Sequence, residues 1–294
     1  MTRQQLARAT AAARTGWRRR RVDHIALLAL ALTPLLLATE AERPRPAAAS
    51  VAKAVTQPAQ VYDGWPFDAK DAVKRQDETA QALGVPKLAS IDLGGVVMKF
   101  VLIPAGRYQD ENKKDVTSSK PFYIAQFKVT QAQYQRIMGK NPSQHAGADY
   151  PVDSVNWASA AEFCKKASEK TKKTIALPTD VQWEFACRAG TATCCYWGDD
   201  VTSATLSKYC WWHDNAQLVT HPVGQKTPNA FGLYDMMGLA WEWVEGGGTK
   251  AANHPARGAT FGSKEPMFRS SIRIDMDDAK VNDRFGMRVV MDAY

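Results

Sequence analysis

The stretch from residue 191 to residue 265 is the feature that most constrains the fold. It is rich in Gly, Trp, Tyr, Asn and Asp, and six of the nine Trp of the chain lie between positions 183 and 243. It shows no sustained helical or strand period, and long aromatic loops of this kind pack on themselves or build a site. Because 45% of all residues are hydrophobic, the chain can form one sizeable core. We therefore expect a loop-rich domain and exclude disorder and a coiled coil for most of the chain.

Regular elements are predicted mainly upstream of that stretch. The clearest helix follows Thr179, because Thr179 and Gln182 have the spacing of a capping box and Gly190 ends the pattern. Another follows Trp157, and its apolar face is formed by Ala160, Phe163, Cys164 and Ala167. Two further helices are predicted over residues 68–83 and 130–138, and strands over residues 96–103, 122–129 and 287–291. These elements predict a mixed α+β domain.

The N-terminus has the pattern of a targeting segment. Arg18 to Arg21 form a cationic block, the apolar run from Ile25 to Ala38 is shorter than a membrane span needs, and small residues follow. We predict a signal peptide or N-terminal anchor over residues 1–49, a linker with a possible helix over residues 50–87, and a folded domain over residues 88–294. The protein is then exported and meets a membrane only through its N-terminal segment. The alternative is an amphipathic N-terminal helix of a cytosolic protein.

The charge distribution argues against nucleic-acid binding. The net charge is +8, but residues 1–49 hold nine Arg and no Lys against three acidic residues, so the rest of the chain carries only +2. A nucleic-acid interface needs cations clustered on the folded domain.

The five cysteines allow two interpretations. A disulfide from Cys194 or Cys195 to Cys210 is favoured, because export permits disulfides. Cys210 and His213 with the same upstream cysteines could instead form a soft metal site, although no usual zinc spacing is present.

One turn has the composition of a hard cation site. Asp235, Gly238, Ala240 and Glu242 place two carboxylates and two backbone carbonyls within eight residues, and such oxygen atoms are the ligands that Ca²⁺ prefers. Hydrogen bonding within the loop is the alternative explanation for the same residues.

A set of motifs in a fixed order resembles a known family. The matching stretches are Met98-Lys-Phe-Val-Leu-Ile-Pro-Ala-Gly106, Pro151-Val-Asp-Ser-Val-Asn-Trp157, Leu177-Pro-Thr-Asp-Val-Gln-Trp-Glu-Phe-Ala-Cys-Arg-Ala-Gly190, Pro228-Asn-Ala-Phe-Gly-Leu-Tyr-Asp235, Trp241-Glu-Trp243 and Gly286-Met-Arg-Val289. Together they resemble the sulfatase-modifying-factor family, whose best-known member is the formylglycine-generating enzyme. The resemblance covers about residues 92–291.

The resemblance implies a fold and a cation. The fold is that of the formylglycine-generating enzyme, related to the C-type lectin fold and poor in regular secondary structure. Family members bind structural Ca²⁺ in the turn matched by Asp235, Gly238, Ala240 and Glu242, although Leu239 stands where Asn is usual. A second family calcium site could begin at Asn215, but the segment before His221 is too short to complete it.

The resemblance also implies a reaction that this chain is poorly equipped to perform. The family enzyme oxidises a sulfatase cysteine to formylglycine with O₂ and Cu(I), which two C-terminal cysteines hold as soft thiolates. Here no cysteine follows Cys210, and the two positions are occupied by Ser263 and Phe268. The preceding motif is altered too, with Ala259 for Gly and Thr260 for Ser. Copper is therefore not expected, and no catalytic residue is assigned.

The remaining cysteines and arginines have implied roles. Cys164 and Cys187 match helix cysteines that some family members pair with C-terminal cysteines; here Ser270 and Val289 replace those partners, so both are predicted to be buried free thiols. Arg269, Arg273 and Arg288 could contact a partner or could pair internally with acids such as Asp275 and Asp283.

Three functions follow from this sequence. The first is an exported family domain that binds a protein or peptide without copper chemistry. The second is another oxidoreductase of the wider family, and the third is formylglycine generation with a different ligand set. The family's iron-dependent relatives use a His-rich upstream domain, and residues 50–90 contain no His.

Overall fold

A computed structural model describes residues 60–249, 253–277 and 282–294. The predicted signal or anchor segment over residues 1–49 lies outside the described residues. Within the described residues, no helix combines the length and the apolar character needed to cross a membrane.

Five helices and twelve strands are found in this part of the chain. The helices are α1 (Ala69–Leu83), α2 (Gln131–Met138), α3 (Trp157–Thr171), α4 (Asp180–Arg188) and α5 (Ser203–Tyr209). The strands are β1 (Val61–Tyr62), β2 (Leu88–Asp92), β3 (Val97–Ile103), β4 (Ala105–Gln109), β5 (Asp115–Ser118), β6 (Phe122–Ala125), β7 (Ile175–Ala176), β8 (Trp241–Trp243), β9 (Asn253–Arg257), β10 (Arg273–Asp277), β11 (Phe285–Met287) and β12 (Val290–Asp292).

Local sequence explains where the helices begin and end. Thr179 and Gln182 form the predicted capping box, with reciprocal bonds of 2.9 and 3.2 Å, and Ala189 adopts the left-handed conformation that ends α4. On α3, the four predicted apolar residues are all buried. Helix α5 was not predicted, because residues 191–265 show no sustained helical period; its cap residue Thr202 makes no side-chain capping bond.

Three small sheets share the strands. A five-stranded sheet has the order β2-β3-β6-β12-β7, a four-stranded sheet the order β10-β9-β8-β11, and a three-stranded sheet the order β1-β4-β5. The single strand predicted over residues 287–291 is instead split, so that β11 and β12 join different sheets. The chain end therefore ties the two larger sheets together around the core.

Helix α1 belongs to this core. Its Gln76 side chain is buried and donates to the carbonyl oxygens of Leu102 and Phe231 at 2.9 and 3.2 Å, and Ala72 is fully buried. Strand β1 pairs with β4. Residues 61–84 thus pack against the domain that was predicted to begin at residue 88.

Candidate functional site

Strand β8 carries a buried charged cluster, which we call the Glu242 cluster: Lys128, Trp183, Glu242 and Arg288. Lys128 Nζ lies 2.6 Å from Glu242 Oε1, and Arg288 contacts both carboxylate oxygens at 3.0–3.1 Å. Trp183 Nε1 donates to Glu242 Oε2 at 2.5 Å. The side chains of Lys128, Glu242 and Arg288 have no exposed surface. Both oxygens of the Glu242 carboxylate therefore accept hydrogen bonds from groups inside the protein.

The backbone brings these residues together from four segments. Glu242 is opposite Gly286 in the parallel β8–β11 pair and opposite Arg257 in the antiparallel β8–β9 pair. Lys128 lies between β6 and α2, and Trp183 lies on α4. Arg288 directly follows β11 and also donates to the carbonyl oxygens of Ala125 and Tyr234, both at 2.8 Å. The cluster thus connects the two larger sheets and α4.

The charges in the cluster offset one another. Burial acts to raise the pKa of Glu242, but the nearby charges of Arg288 and Lys128 outweigh it and hold that pKa below its ordinary value. Burial lowers the pKa of Lys128 against the attraction of Glu242. Burial also raises the pKa of Asp235, whose Oδ2 accepts a 2.6 Å bond from the Gly224 amide.

The four residues predicted to bind calcium already make internal hydrogen bonds, although Asp235 Oδ1 has no partner among the described residues. Lys128 Nζ bonds the Ala240 carbonyl oxygen at 2.9 Å as well as Glu242, and the Gly238 carbonyl oxygen accepts from the Ala240 amide at 2.9 Å. Among the described residues, no group of three or more His, Cys, Asp or Glu could hold a metal ion. The arrangement does not fit an open calcium site, because an ammonium group lies between two of the predicted ligands. The side chain of Asn215 is likewise used locally, bonding Trp212 N and Cys210 O.

The turn from Asp235 to Glu242 has left-handed backbone at two successive residues, Gly238 and Leu239. Gly238 has φ of +86°, and a Cβ there would collide with the Trp211 carbonyl oxygen. Leu239 follows with φ of +63°, a left-handed conformation that costs a Leu more than the Asn usual at that position. The buried cluster beside it supplies the interactions that hold this backbone.

Ser263 and Phe268, which the sequence resemblance assigns to the two cysteine positions, both make structural contacts. Ser263 Oγ accepts from the Thr260 amide at 3.0 Å, and Ser263 is partly exposed. The Phe268 ring is 1% exposed and packs edge-on against Trp212, with centroids 6.3 Å apart. Neither side chain presents a sulfur ligand, and we refer to this stretch as the 260–268 segment.

Sequence reasoning did not place the vicinal cysteines beside this segment. Cys195 Sγ lies 3.0 Å and Cys194 Sγ 3.5 Å from the Phe268 carbonyl oxygen. Cys194 is partly exposed, whereas Cys195 is buried. No spacing rule links positions 194 and 268, so only the folded chain reveals that two thiols lie beside the Phe268 backbone.

All five cysteines are free thiols. The predicted disulfide to Cys210 is therefore wrong for this structure, since Cys210 Sγ is directed to the Leu206 carbonyl oxygen at 3.3 Å and Cys195 Sγ to Phe268. The prediction for Cys164 and Cys187 is confirmed: both are buried free thiols. Burial raises the pKa of each to about 12, so they are inert as thiolates.

The three arginines differ in role. Arg288 pairs with Glu242 rather than with the acids expected, and it is inaccessible to a partner. Arg273 pairs with Asp275 at 2.7 Å, as predicted, and also with Asp180 at 3.3 Å. Asp283 faces His145 at 4.0 Å. Arg269 is exposed and lines a cavity of about 240 Å³ together with Cys194 and Trp65.

Comparisons with curated proteins give relatives of differing function. "Chaperone protein LppX" of Paenibacillus barcinonensis is 28% identical, over 49% of this chain and 70% of its own length. The formylglycine-generating enzyme of Mycobacterium tuberculosis is 30% identical over 40% of each chain. The "Inactive C-alpha-formylglycine-generating enzyme 2" of Mus musculus is 30% identical, over 53% of this chain and 48% of its own length. The chain thus spans less than half the length of these last two relatives.

Solved structures confirm the predicted fold class. Treponema denticola variable protein 1 matches with a TM-score of 0.65 and 23% identity, covering 71% of this chain and all of that chain. PvdO from Pseudomonas aeruginosa matches with a TM-score of 0.62 and 22% identity, covering 69% of this chain and 98% of that one. The fold is the mixed α+β, C-type lectin-like fold of these proteins.

A family model supplies the assignment. It is described as the sulfatase-modifying factor enzyme 1-like domain and matches residues 85–293, most of the chain. The protein belongs to the sulfatase-modifying factor enzyme 1-like family.

Proposed function

We propose that this chain is an exported member of the family that binds a polypeptide and does not generate formylglycine with copper. The observation that carries the proposal is the occupation of the two cysteine positions by Ser263 and Phe268, with no cysteine after Cys210. A neutral hydroxyl binds Cu(I) far less well than a thiolate, and a phenyl ring offers no ligand atom.

The local geometry supports the loss of copper chemistry. Ser263 Oγ serves as the acceptor of the Thr260 amide, and Phe268 fills interior space against Trp212. The Cys195 thiol behind Phe268 does not replace the missing ligand, because its burial raises its pKa and keeps it protonated.

The surface beside the 260–268 segment supports binding of a polypeptide. Arg269 is exposed there, and the cavity it lines also contains the ring of Trp65 and the partly exposed Cys194. Arg and aromatic residues are both enriched at protein interfaces. A relative named as a chaperone and another named as inactive agree with binding in place of catalysis.

The alternative is oxidoreductase activity, either formylglycine generation or another reaction of the wider family. Its specific support is Cys194, whose partly exposed sulfur lies 3.5 Å from the Phe268 carbonyl oxygen, where a family thiol is expected. A single accessible thiol does not reproduce a pair of thiolate ligands, so binding remains the better-supported function.

The decisive experiment incubates the purified full-length protein with Cu(I), O₂ and a Cys-x-Pro-x-Arg peptide and follows aldehyde formation by mass spectrometry. We expect no conversion above a metal-only control. Conversion that is lost on chelation, and lost in Cys194→Ser, would establish the alternative.

Binding is tested in parallel with a labelled acidic peptide and fluorescence anisotropy. We expect Arg269→Glu to weaken binding several-fold, because it reverses the exposed charge beside the cavity. Lys173→Glu is the matched control, since it makes the same change of charge at an exposed site that does not line this cavity. Absence of both aldehyde and peptide binding would contradict the proposal.

A further inference from the structure

The turn that carries two buried carboxylates also has a cation built into the chain. Lys128 is fully buried, and its Nζ reaches Glu242 Oε1 at 2.6 Å and the Ala240 carbonyl oxygen at 2.9 Å. These are two of the four residues whose oxygen atoms the sequence groups as hard ligands. A lysine outside the turn thus makes the contacts that a bound cation would make.

The contacts have the geometry of charged hydrogen bonds. The Ala240 distance of 2.9 Å lies within the usual range of about 2.7–2.9 Å for charged N–H···O bonds, and the Glu242 distance of 2.6 Å lies just below it. Two oxygen contacts also fall short of the roughly six to eight ligands that Ca²⁺ takes. The ammonium group also has three donors, enough for Glu242, Ala240 and one further acceptor.

The charge balance gives the same answer. Asp235 and Glu242 are both buried, with one oxygen of Asp235 lacking a hydrogen-bond partner among the described residues. Lys128 and Arg288 interact electrostatically with both carboxylates. Lys128 therefore offsets buried negative charge, and its loss would leave the carboxylates of the turn with Arg288 alone, which is costly.

We propose that the Lys128 ammonium is the resident cation of the turn from Asp235 to Glu242 and replaces Ca²⁺ there. The protein then folds without calcium, and removal of the lysine side chain exposes a carboxylate and carbonyl ligand set that calcium can occupy. This inference is independent of the proposed binding function, because it concerns the fold alone.

The test compares the full-length wild-type protein with Lys128→Ala and Lys128→Met, each melted in a calcium chelator and in millimolar Ca²⁺. We expect the wild-type Tm to be the same in both solutions. Lys128→Ala should lose on the order of 10 °C in chelator, as expected for one partner removed from a buried ion pair, and should recover part of that loss in Ca²⁺. Calorimetric titration should show Ca²⁺ binding by Lys128→Ala alone.

Lys128→Met is the matched control, because its side chain fills the space of the lysine stem without a charge or a vacancy. It should be destabilised and should show no response to Ca²⁺. A wild-type Tm that rises in Ca²⁺ would overturn the proposal, as would equal recovery of the Ala and Met variants.

Lys128→Ala can also be judged if it does not fold in chelator. It is then diluted from denaturant into buffer with Ca²⁺ or with chelator, and the native tryptophan fluorescence is followed. Recovery in Ca²⁺ alone supports the replacement. No recovery in either buffer would show that Ca²⁺ cannot take the place of the ammonium, and the proposal would be wrong.

Discussion

The Glu242 cluster and the 260–268 segment differ in what holds their side chains. In the cluster, the buried Glu is held by two cations and an indole N–H. In the segment, Ser263 has a partly exposed hydroxyl and Phe268 a buried phenyl ring. The first region therefore depends on paired buried charges, and the second on apolar packing and a partly exposed hydrogen bond.

Burial explains why the two regions differ in tolerance. Removing one member of a desolvated ion pair leaves its partner charged and unsolvated, which is severely destabilising. A hydroxyl at the surface can exchange its partner for water at little cost. Mutations of Glu242 and of Ser263 should therefore have very different effects on stability.

The largest effect is expected for Glu242→Gln. The change leaves Lys128 and Arg288 buried without a counter-charge, so we expect a loss of about 3–5 kcal/mol in the free energy of unfolding. The measurement is equilibrium unfolding in denaturant. Glu162→Gln is the control, because Glu162 pairs with Lys166 at 3.5 Å on an exposed helix face and should change stability by less than about 0.5 kcal/mol. Similar losses in the two variants would contradict the comparison.

The sequence predicted the helices of the fold better than it predicted the contacts of the Glu242 cluster. The capping box of Thr179 and the apolar face of α3 are local patterns, and both are found in the structure. The sequence singled out Glu242 as a calcium ligand, whereas in the structure the side chain contacts Lys128, which lies 114 positions away. Nothing in local spacing indicates that pair.

The cysteines illustrate the same limit. Cys164 was predicted to be buried because it lies on a periodic apolar face. The contact of Cys195 with the Phe268 carbonyl oxygen depends on how two irregular loops pack, and irregular loops carry no period from which packing can be read.

The second prediction restores the missing sulfur atoms in Ser263→Cys/Phe268→Cys. Truncating the buried Phe268 should cost about 3 kcal/mol in the free energy of unfolding, because a cavity is left against Trp212. The double variant should gain Cu(I) binding, measured by competition with a colorimetric Cu(I) chelator. Ser263→Cys alone is the control and should bind Cu(I) much more weakly. If the wild-type protein bound Cu(I) as tightly as the double variant, the 260–268 segment would not need these two cysteines to bind copper, and the prediction would be wrong.

The third prediction concerns Asp235, the carboxylate beside the cluster. Burial raises its pKa above the ordinary 3.8, so its contribution to stability is greatest at pH values below 3.8 and is lost as the pH rises through the raised value. Asp235→Asn keeps an oxygen for the Gly224 amide and carries no titrating carboxyl, so the wild-type protein should lose stability relative to it as the pH rises.

The measurement is the difference in unfolding free energy between wild type and Asp235→Asn across the acidic range. The lowered pKa of Glu242 has the opposite sign, since stability is lost as the pH falls through it, but it is common to both proteins and largely cancels. Asp77→Asn, at a surface carboxylate that pairs with Lys87, is the control and should give a nearly flat difference. A wild-type protein that gains stability over Asp235→Asn as the pH rises would show that Lys128 and Arg288 outweigh burial at this carboxylate.

The smallest effect is expected for Ser263→Ala. The Thr260 amide loses its 3.0 Å bond to Ser263 Oγ, but Ser263 is partly exposed and water can take the place of the hydroxyl, so the loss should stay below about 1 kcal/mol. Thr179→Ala is the matched comparison, since Thr179 Oγ1 also accepts from a backbone amide, here at the start of α4, and helix caps contribute about 1 kcal/mol. Denaturant unfolding measures both variants. A loss of more than about 2 kcal/mol for Ser263→Ala would place this hydroxyl among the groups that maintain the fold. Tolerance, by contrast, would show that the Ser263 hydroxyl contributes little to the fold, unlike the Glu242 carboxylate.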